Sequence, residues 1–242
     1  MRALTGQDEM LFLGGDGPVS RLVALFAGLD GRDPEALRAL PLAVWEAELI
    51  TLRARVIGAR VEAELACPAC ATGALLVFEV TDLPRELPPP PERAPLPLRA
   101  LTVGDLADLE ASGESGEAAL AFLLARAGDL DSAEAAAARL AGPDRAALTE
   151  ALEALVAGLS LELGSRCTEC AAEITAPFDI AGFLDAELAE RAARLLDEVH
   201  LMASTYHWSE REILSLTFAR RQDYIGRILA ERTIAGRAAV AA

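Results

Sequence analysis

The chain contains neither lysine nor asparagine, only two histidines and 5% aromatic residues. Its 22 cationic side chains are therefore all arginines. They are outnumbered by 38 acidic residues, which gives a formal net charge of −16. A surface of this charge repels phosphate backbones and anionic lipid. The composition thus argues against nucleic acid and membrane surfaces as partners.

Long hydrophobic runs are also missing. No stretch approaches the roughly 20 apolar residues that span a bilayer. Residues 1–13 show no apolar run followed by a small-residue cleavage site, which predicts that there is no signal peptide. We therefore expect a cytoplasmic protein, in which paired cysteines bind metal more often than they form disulfides. With 242 residues and 52% hydrophobic content, the chain can bury one large or two small cores.

The four cysteines form two Cys-x-x-Cys motifs. Cys67 and Cys70 make the first, and Cys167 and Cys170 make the second, 100 positions later. The flanking residues match at the same spacing, as in the pairs Ala71 and Ala171, Phe78 and Phe178, Glu79 and Asp179, Val80 and Ile180, and Glu62 and Glu162. Each copy has the pattern strand, knuckle, strand, which is half of a zinc ribbon. The repeat therefore predicts a single metal site that joins distant parts of the chain.

This pattern predicts one structural Zn²⁺ bound by Cys67, Cys70, Cys167 and Cys170. Tetrahedral zinc prefers four soft ligands, and a two-residue gap lets both thiolates of one turn face the same ion. Two other interpretations are a motif that has lost its metal and a redox pair. The redox pair is disfavoured because neither knuckle opens a helix in a thioredoxin-like βαβ unit. Catalytic zinc needs an open coordination position, and four cysteines leave none.

The hydrophobic periodicity predicts an α+β protein that is predominantly helical. In it, two β-hairpin zinc knuckles pair into one zinc ribbon, and a C-terminal helical segment follows. We predict helices at 19–29, 42–57, 103–111, 116–127, 132–140, 143–158 and 185–206, with further helices after Ser209 and Thr217. We predict strands at 60–65, 75–80, 160–163 and 174–180.

The order of these elements predicts an internal duplication of a helix-plus-hairpin unit. We expect N-terminal helices with the first hairpin at 1–83, a proline-rich linker at 84–98, an acidic helical segment with the second hairpin at 99–183, and C-terminal helices at 184–242. Residues Pro84 to Pro97 hold seven of the thirteen prolines. Because proline removes a backbone donor and disrupts a helix interior, we expect an exposed and extended spacer there.

Signals of catalysis are weak. His200 and His207 could act as bases or ligands, but packing or capping is the favoured role for both. The run Gly14–Gly17 lacks the GK[ST] ending of a phosphate loop and is better interpreted as a turn. No Ser/His/Asp order and no HExxH pattern occur. We therefore predict that the protein is not an enzyme.

The scarce aromatic residues are concentrated near the C-terminal end. Tyr206, Trp208, Arg220, Arg221 and Tyr224 fall within 19 residues. Tryptophan, tyrosine and arginine dominate the energetics of protein interfaces, so these residues predict a partner-docking surface. The alternative is that Tyr206 and Trp208 hold the helix turn onto the core. A helix-turn-helix that reads DNA is disfavoured by the net charge, and the arginine pair suits an acidic protein surface better.

Three segments carry a resemblance to a known group of proteins. They are Leu4–Glu9, Glu198–Leu214 with its Tyr-x-Trp-Ser-Glu motif, and Arg220-Arg221 followed by Tyr224. Together with the cysteine hairpins, they resemble small proteins encoded in the tail and baseplate clusters of contractile phages and phage-tail-like injection systems. These proteins are related to the baseplate hub proteins and hub assembly chaperones of T-even-type phages.

The resemblance implies a non-enzymatic baseplate component or hub assembly factor of a contractile injection system. Its partners would be baseplate or hub proteins, and it would either stay in the tail-like particle or leave after assembly. The resemblance supplies no catalytic residues. One alternative is a zinc-ribbon regulatory protein that binds nucleic acid, and another is a hydrolase whose site the sequence does not reveal. The sequence predicts no oligomeric state.

Overall fold

A computed structural model describes residues 1–83, 95–156 and 161–240, with side chains up to residue 234. Most of these residues are helical, as predicted. The helices are α1 Gly6–Glu9, α2 Pro18–Asp30, α3 Pro34–Arg38, α4 Leu42–Val56, α5 Val103–Ser112, α6 Gly116–Ala127, α7 Ala133–Leu140, α8 Arg145–Val156, α9 Ile180–Tyr206, α10 Glu210–Leu214 and α11 Phe218–Val240, with short 3-10 turns at Met10–Leu13 and Val80–Asp82. None of the helices in the described ranges is both long enough and apolar enough to cross a membrane.

The four strands form two separate antiparallel hairpins, which confirms the predicted hairpin pair. The strands are β1 Arg60–Ala66, β2 Gly73–Glu79, β3 Leu161–Arg166 and β4 Glu173–Phe178. Their registers repeat at the same spacing as the sequence. Val61 lies opposite Phe78 in the first hairpin, and Leu161 lies opposite Phe178 in the second. The duplication seen in sequence is therefore a duplication of structure.

Helix starts follow the capping signals in the sequence. Ser209 and Glu212 form the predicted capping box of α10, since the Ser209 amide and hydroxyl donate to the Glu212 carboxylate and the Glu212 amide donates back to Ser209 Oγ. Several predicted boundaries are wrong: β2 begins at Gly73 instead of Leu75, β3 runs on to Arg166 instead of ending at Leu163, and α9 begins at Ile180 instead of Asp185. The strand expected to run to residue 180 ends at Phe178, because Asp179 accepts from the amides of Ala181 and Gly182 and so begins α9.

The proline-rich spacer was predicted for residues 84–97. Of these, 84–94 lie outside the described residues, so the spacer remains a prediction. The four-segment division of the chain also remains a prediction. The described residues fall into two compact units, the first from Met1–Asp16, Ala24–Arg32 and Asp185–Ala242, and the second from Gly17–Val23 and Asp33–Leu184.

The second unit contains both hairpins and helices α3 to α8. Arg53, on the last turn of α4, is almost completely buried and anchors the first hairpin. Its guanidinium donates to the carbonyl oxygens of Gly58 at 2.7 Å and Arg60 at 2.8 Å, and it lies over the ring of Phe183. A buried arginine must satisfy its donors within the protein, so this residue fixes the path from helix to strand.

The first unit is built from α1, α10 and α11, with the later part of α2 and most of α9. Met202, Ile213 and Ile228 form one fully buried cluster within it. Gly6 permits a close approach within this unit, because its amide donates to the Leu216 carbonyl and a side chain on Gly6 would come within 3.0–3.2 Å of Arg221 and Leu214. The N-terminal and C-terminal segments thus share one core.

Candidate metal centre

Both cysteine knuckles have the same backbone geometry. In the first, the Cys67 amide donates to the Thr72 carbonyl and the Ala71 amide donates to the Cys67 carbonyl, both at 2.9 Å. The second repeats these bonds between Cys167 and residues 171 and 172, at 3.0 and 2.9 Å. Each turn therefore closes on itself and directs the two cysteines of one motif to the same side.

The residue after each second cysteine adopts an uncommon conformation. Ala71 and Ala171 have φ angles of 59° and 58°, in the left-handed region that glycine normally occupies. For an alanine this costs roughly 1–2 kcal/mol. Strain of this kind persists only where the surroundings impose it, and it concentrates at functional sites. Because both copies contain this strained residue, we infer that the site depends on this conformation of the knuckle.

The two hairpins bring all four cysteines together. Cys67 Sγ lies 3.6 Å from Cys170 Sγ, and Cys70 Sγ lies 3.6 Å from Cys167 Sγ, so each knuckle contacts the other through its sulfurs. All four sulfurs lie within 4.8 Å of one another. None of them is in a disulfide. The predicted ligand set is therefore assembled in one place and could hold a metal ion.

The dimensions of the cluster suit a single tetrahedral ion. Metal–sulfur bonds of about 2.3 Å in a tetrahedron place the sulfurs about 3.8 Å apart. The observed separations of 3.6 Å to at most 4.8 Å bracket that value. Cys67 and Cys167 are buried while Cys70 and Cys170 are exposed, so an ion would have a protein side and an open path from solvent.

The electrostatics of the cluster favour a cation. The side-chain and backbone hydrogen bonds of Thr72 lower the pKa of Cys70 to about 6. The Ala172 amide lowers the pKa of Cys170, but hydrogen bonds from this thiol to Cys70 and Cys67 outweigh it and raise the value to about 12. These opposite shifts belong to one coupled group of thiols, in which the first to ionise holds the protons on the others. A bound divalent ion ends this competition among the thiols for protons, because it deprotonates the thiols that coordinate it.

An apolar layer lies beneath the sulfurs. Ala74 and Ile174 are buried against Cys67 and Cys167. Further along the hairpins, the rings of Phe78 and Phe178 meet edge to face, with centroids 5.2 Å apart. These phenylalanines occupy equivalent positions in the two repeats, so the hairpins contact each other through matching residues.

The five predicted docking residues lie in the first unit, and four of them are in contact with one another. The rings of Tyr206, Trp208 and Tyr224 have centroids 4.9 to 5.7 Å apart. All three are half-buried against the core formed by Met202, Ile213 and Ile228. Arg220 is exposed, lies over the Tyr224 ring and donates to its hydroxyl at 3.2 Å. Together Tyr206, Trp208, Tyr224 and Arg220 form what we call the aromatic cluster.

Arg221 is not part of this surface, because its side chain is fully buried. Its guanidinium donates to Glu198 at 2.7 Å, to the Leu216 carbonyl at 3.0 Å and to Glu9, whose side chain is also fully buried. Burial raises the pKa of Glu9 above its ordinary value, although the charge of Arg221 opposes this. In this conformation Arg221 holds the first unit together and offers nothing to a partner.

The sequence did not indicate three participants in these sites. Thr72 supplies a hydroxyl 3.4 Å from Cys70 Sγ, a contact for which the second repeat has only Ala172. Glu9 and Glu198 neutralise Arg221, although they lie far apart in the chain.

Comparison of the chain with protein-family models, with curated proteins and with solved structures found no match. Any function must therefore be argued from the residues of this chain.

Proposed function

We propose that the cysteine cluster binds one zinc ion and that the two hairpins form a zinc ribbon with a structural role. The observation that supports this most directly is the convergence of four cysteine sulfurs within 4.8 Å from two matching knuckles. Four thiolates suit a soft or borderline ion and disfavour calcium or magnesium, which prefer oxygen ligands. Zinc in such a set has no open position, so the ion stabilises the fold and does not act on a substrate.

The effect of such an ion on stability would be large. Structural zinc contributes roughly 10–16 kcal/mol in zinc-finger peptides, whereas a whole domain is stable by roughly 5–15 kcal/mol. Each hairpin has only two strands, and an isolated two-stranded hairpin is at best marginally stable in water. The ion therefore supplies much of what keeps the hairpins folded and paired.

We expect one zinc per chain in protein purified without a tag and without chelator. The measurement is elemental analysis by mass spectrometry, with protein concentration from amino-acid analysis. A Cys70→Ser and Cys170→Ser double variant, which removes the two exposed ligands, serves as the control and should contain no stoichiometric metal. A native chain that carries no zinc, or carries iron in its place, would refute the assignment.

We further propose that the protein is a non-enzymatic component or assembly factor of the baseplate or hub of a contractile tail-like particle. The support is the resemblance carried by Leu4–Glu9, by Glu198–Leu214 and by Arg220-Arg221 with Tyr224. These three segments meet in the first unit, where Glu9, Glu198 and Arg221 form one buried ion cluster. The three segments that carry the resemblance therefore all belong to the first unit.

The partner test uses the exposed member of the aromatic cluster. We expect Arg220→Ala to fold with an unchanged melting temperature and to bind its baseplate partner more weakly. An interface arginine of this kind contributes about 2 kcal/mol, or roughly 30-fold in Kd. Arg227→Ala, an exposed arginine on the same helix, is the matched control and should bind normally.

The assay is co-purification of the chain with the baseplate and hub proteins encoded beside its gene, followed by titration of the partner that is found. Failure of every such protein to bind would argue against the baseplate role. Binding of duplex DNA at physiological salt would favour the zinc-ribbon regulator instead. Equal binding by Arg220→Ala and the native chain would remove the aromatic cluster from the interface.

A further inference from the structure

The second unit contains a cavity of about 430 Å³, and none of the four cysteines is among its lining residues. It lies within the range of roughly 300–1,000 Å³ that is typical of small-molecule sites. Most of its wall is apolar. The wall includes the apolar side chains of Trp45, Leu106 and Val156 and the carboxylates of Glu46, Glu110 and Asp179. No arginine is among the described residues that line it. Three carboxylates thus face an apolar space without a cation.

Two of these carboxylates already have partners. Glu110 accepts hydrogen bonds from the amides of Val19 and Ser20 at the start of α2, at 2.8 and 3.3 Å. Asp179 accepts from the amides of Ala181 and Gly182 at the start of α9. Negative charge is stabilised at a helix N-terminus, so both groups can remain ionised where they are.

Glu46 differs from the other two. Within the part of the chain that the structure describes, its carboxylate receives no hydrogen bond and forms no ion pair. Burial, followed by the negative charge of Asp179, raises the pKa of Glu46 to about 8. Desolvation and a like charge both disfavour the ionised form, and nothing in the cavity compensates for them. A positive charge placed beside Glu46 would relieve both.

We propose that this cavity binds a small organic cation, with an ammonium or guanidinium group beside Glu46 and an apolar remainder against Trp45 and Leu106. The cation supplies the partner that Glu46 lacks, and the apolar wall strengthens the attraction by excluding water. The indole of Trp45 is part of the cavity wall, and aromatic rings attract cations. A bare metal ion fits less well, since it requires several oxygen ligands and two of the three carboxylates are occupied by helix amides. This site is independent of the zinc and baseplate proposals.

The test is a calorimetric titration of the zinc-loaded full-length chain at pH 8.5 with phenethylammonium, agmatine and tetramethylammonium. We expect saturable one-to-one binding of at least one of them. The uncharged analogue 2-phenylethanol should bind at least tenfold more weakly than phenethylammonium. Absence of saturable binding by the whole panel would overturn the proposal, as would equal binding of the uncharged analogue.

Variants of neighbouring glutamates on α4 identify the group responsible. Glu46→Gln should weaken binding of the tightest cation at least tenfold, whereas Glu48→Gln, whose side chain is not part of the cavity wall, should leave it unchanged. Unchanged binding by Glu46→Gln would place the cation elsewhere and contradict the proposal.

Melting temperatures of Glu46→Gln and the native chain, measured at several pH values, show whether the variant folds. The raised pKa of Glu46 means that its contribution to stability is present below the ordinary carboxyl pKa and is lost as pH rises through about 8. The melting temperature of Glu46→Gln relative to the native chain should therefore increase between pH 5 and pH 8. Asp179 and Glu110, the other carboxylates that face the cavity, are the same in both chains.

Discussion

Replacing Cys167 with serine should abolish zinc binding and destabilise both hairpins, including the one 100 residues earlier in the chain. The physical reason is that the first hairpin is held to the second by the shared sulfur cluster and by a small apolar layer around Ala74 and Ile174. Once one ligand is lost, a metal contribution of roughly 10–16 kcal/mol is largely lost with it. A strong chelator added to the native chain should have the same effect.

The measurement is amide hydrogen exchange of the native chain and the variant, read separately for β1 and β2 and for β3 and β4. We expect faster exchange in all four strands, together with a lower melting temperature. Thr168→Ala changes an exposed residue between two ligands and should leave both quantities unaltered. Exchange that accelerates only in β3 and β4 would show that the hairpins are stabilised independently and that no shared ion joins them.

The sequence was sufficient to predict the hairpins because the signal occurs twice. A single Cys-x-x-Cys with flanking apolar residues fits several structures, but the match of Phe78 with Phe178 and of Ala71 with Ala171 fixes the register of both copies. The backbone repeats that register. The end of β4 was misplaced because Ile180 has β propensity, whereas Asp179 acts as a helix cap and overrides it.

The cavity could not be predicted in the same way. Its wall is assembled from the start of α2, the first turns of α4, one face of α5, the end of α8 and the start of α9. The hydrophobic periodicity of a single segment carries no information on how close these five segments lie to one another in the fold. Glu46 is one acidic residue among 38 in the sequence, and only its burial beside Asp179 distinguishes it.

Arg221 was misjudged for a different reason. Read as half of an Arg-Arg pair, it indicates a basic surface. The helical register separates the two residues, since Arg221, Ile225 and Ile228 recur at intervals of four and three and so share one face of α11. Ile228 is buried on that face and Arg220 is not. Attention to the register of α11 would have placed Arg221 inside, although it could not have identified Glu9 and Glu198 as the acids that neutralise it.

Arg221→Met should accordingly be among the most destabilising single substitutions in the first unit. Removing one partner of a buried ion cluster costs about 3–5 kcal/mol, because it leaves uncompensated charge in the interior. Glu9 would be the most affected, since it is fully buried and its Oε1 has no hydrogen-bond partner among the described residues. Arg220→Ala, one position earlier and exposed, should have almost no effect on the melting temperature.

The triple variant Arg221→Met, Glu9→Gln and Glu198→Gln separates charge from packing. If uncompensated charge is the cause, the triple variant should recover most of the stability that Arg221→Met loses, because Arg221, Glu9 and Glu198 are then all replaced by uncharged side chains. The loss in Arg221→Met should also be smaller at pH 5 than at pH 8. Without Arg221 the pKa of Glu9 rises further above its unfolded value, so the folded state gains most from protonation at low pH and loses that gain as pH rises. Chemical denaturation at both pH values measures these differences. A pH-independent loss that the triple variant does not relieve would assign the role of Arg221 to packing of its aliphatic stem instead of to its charge.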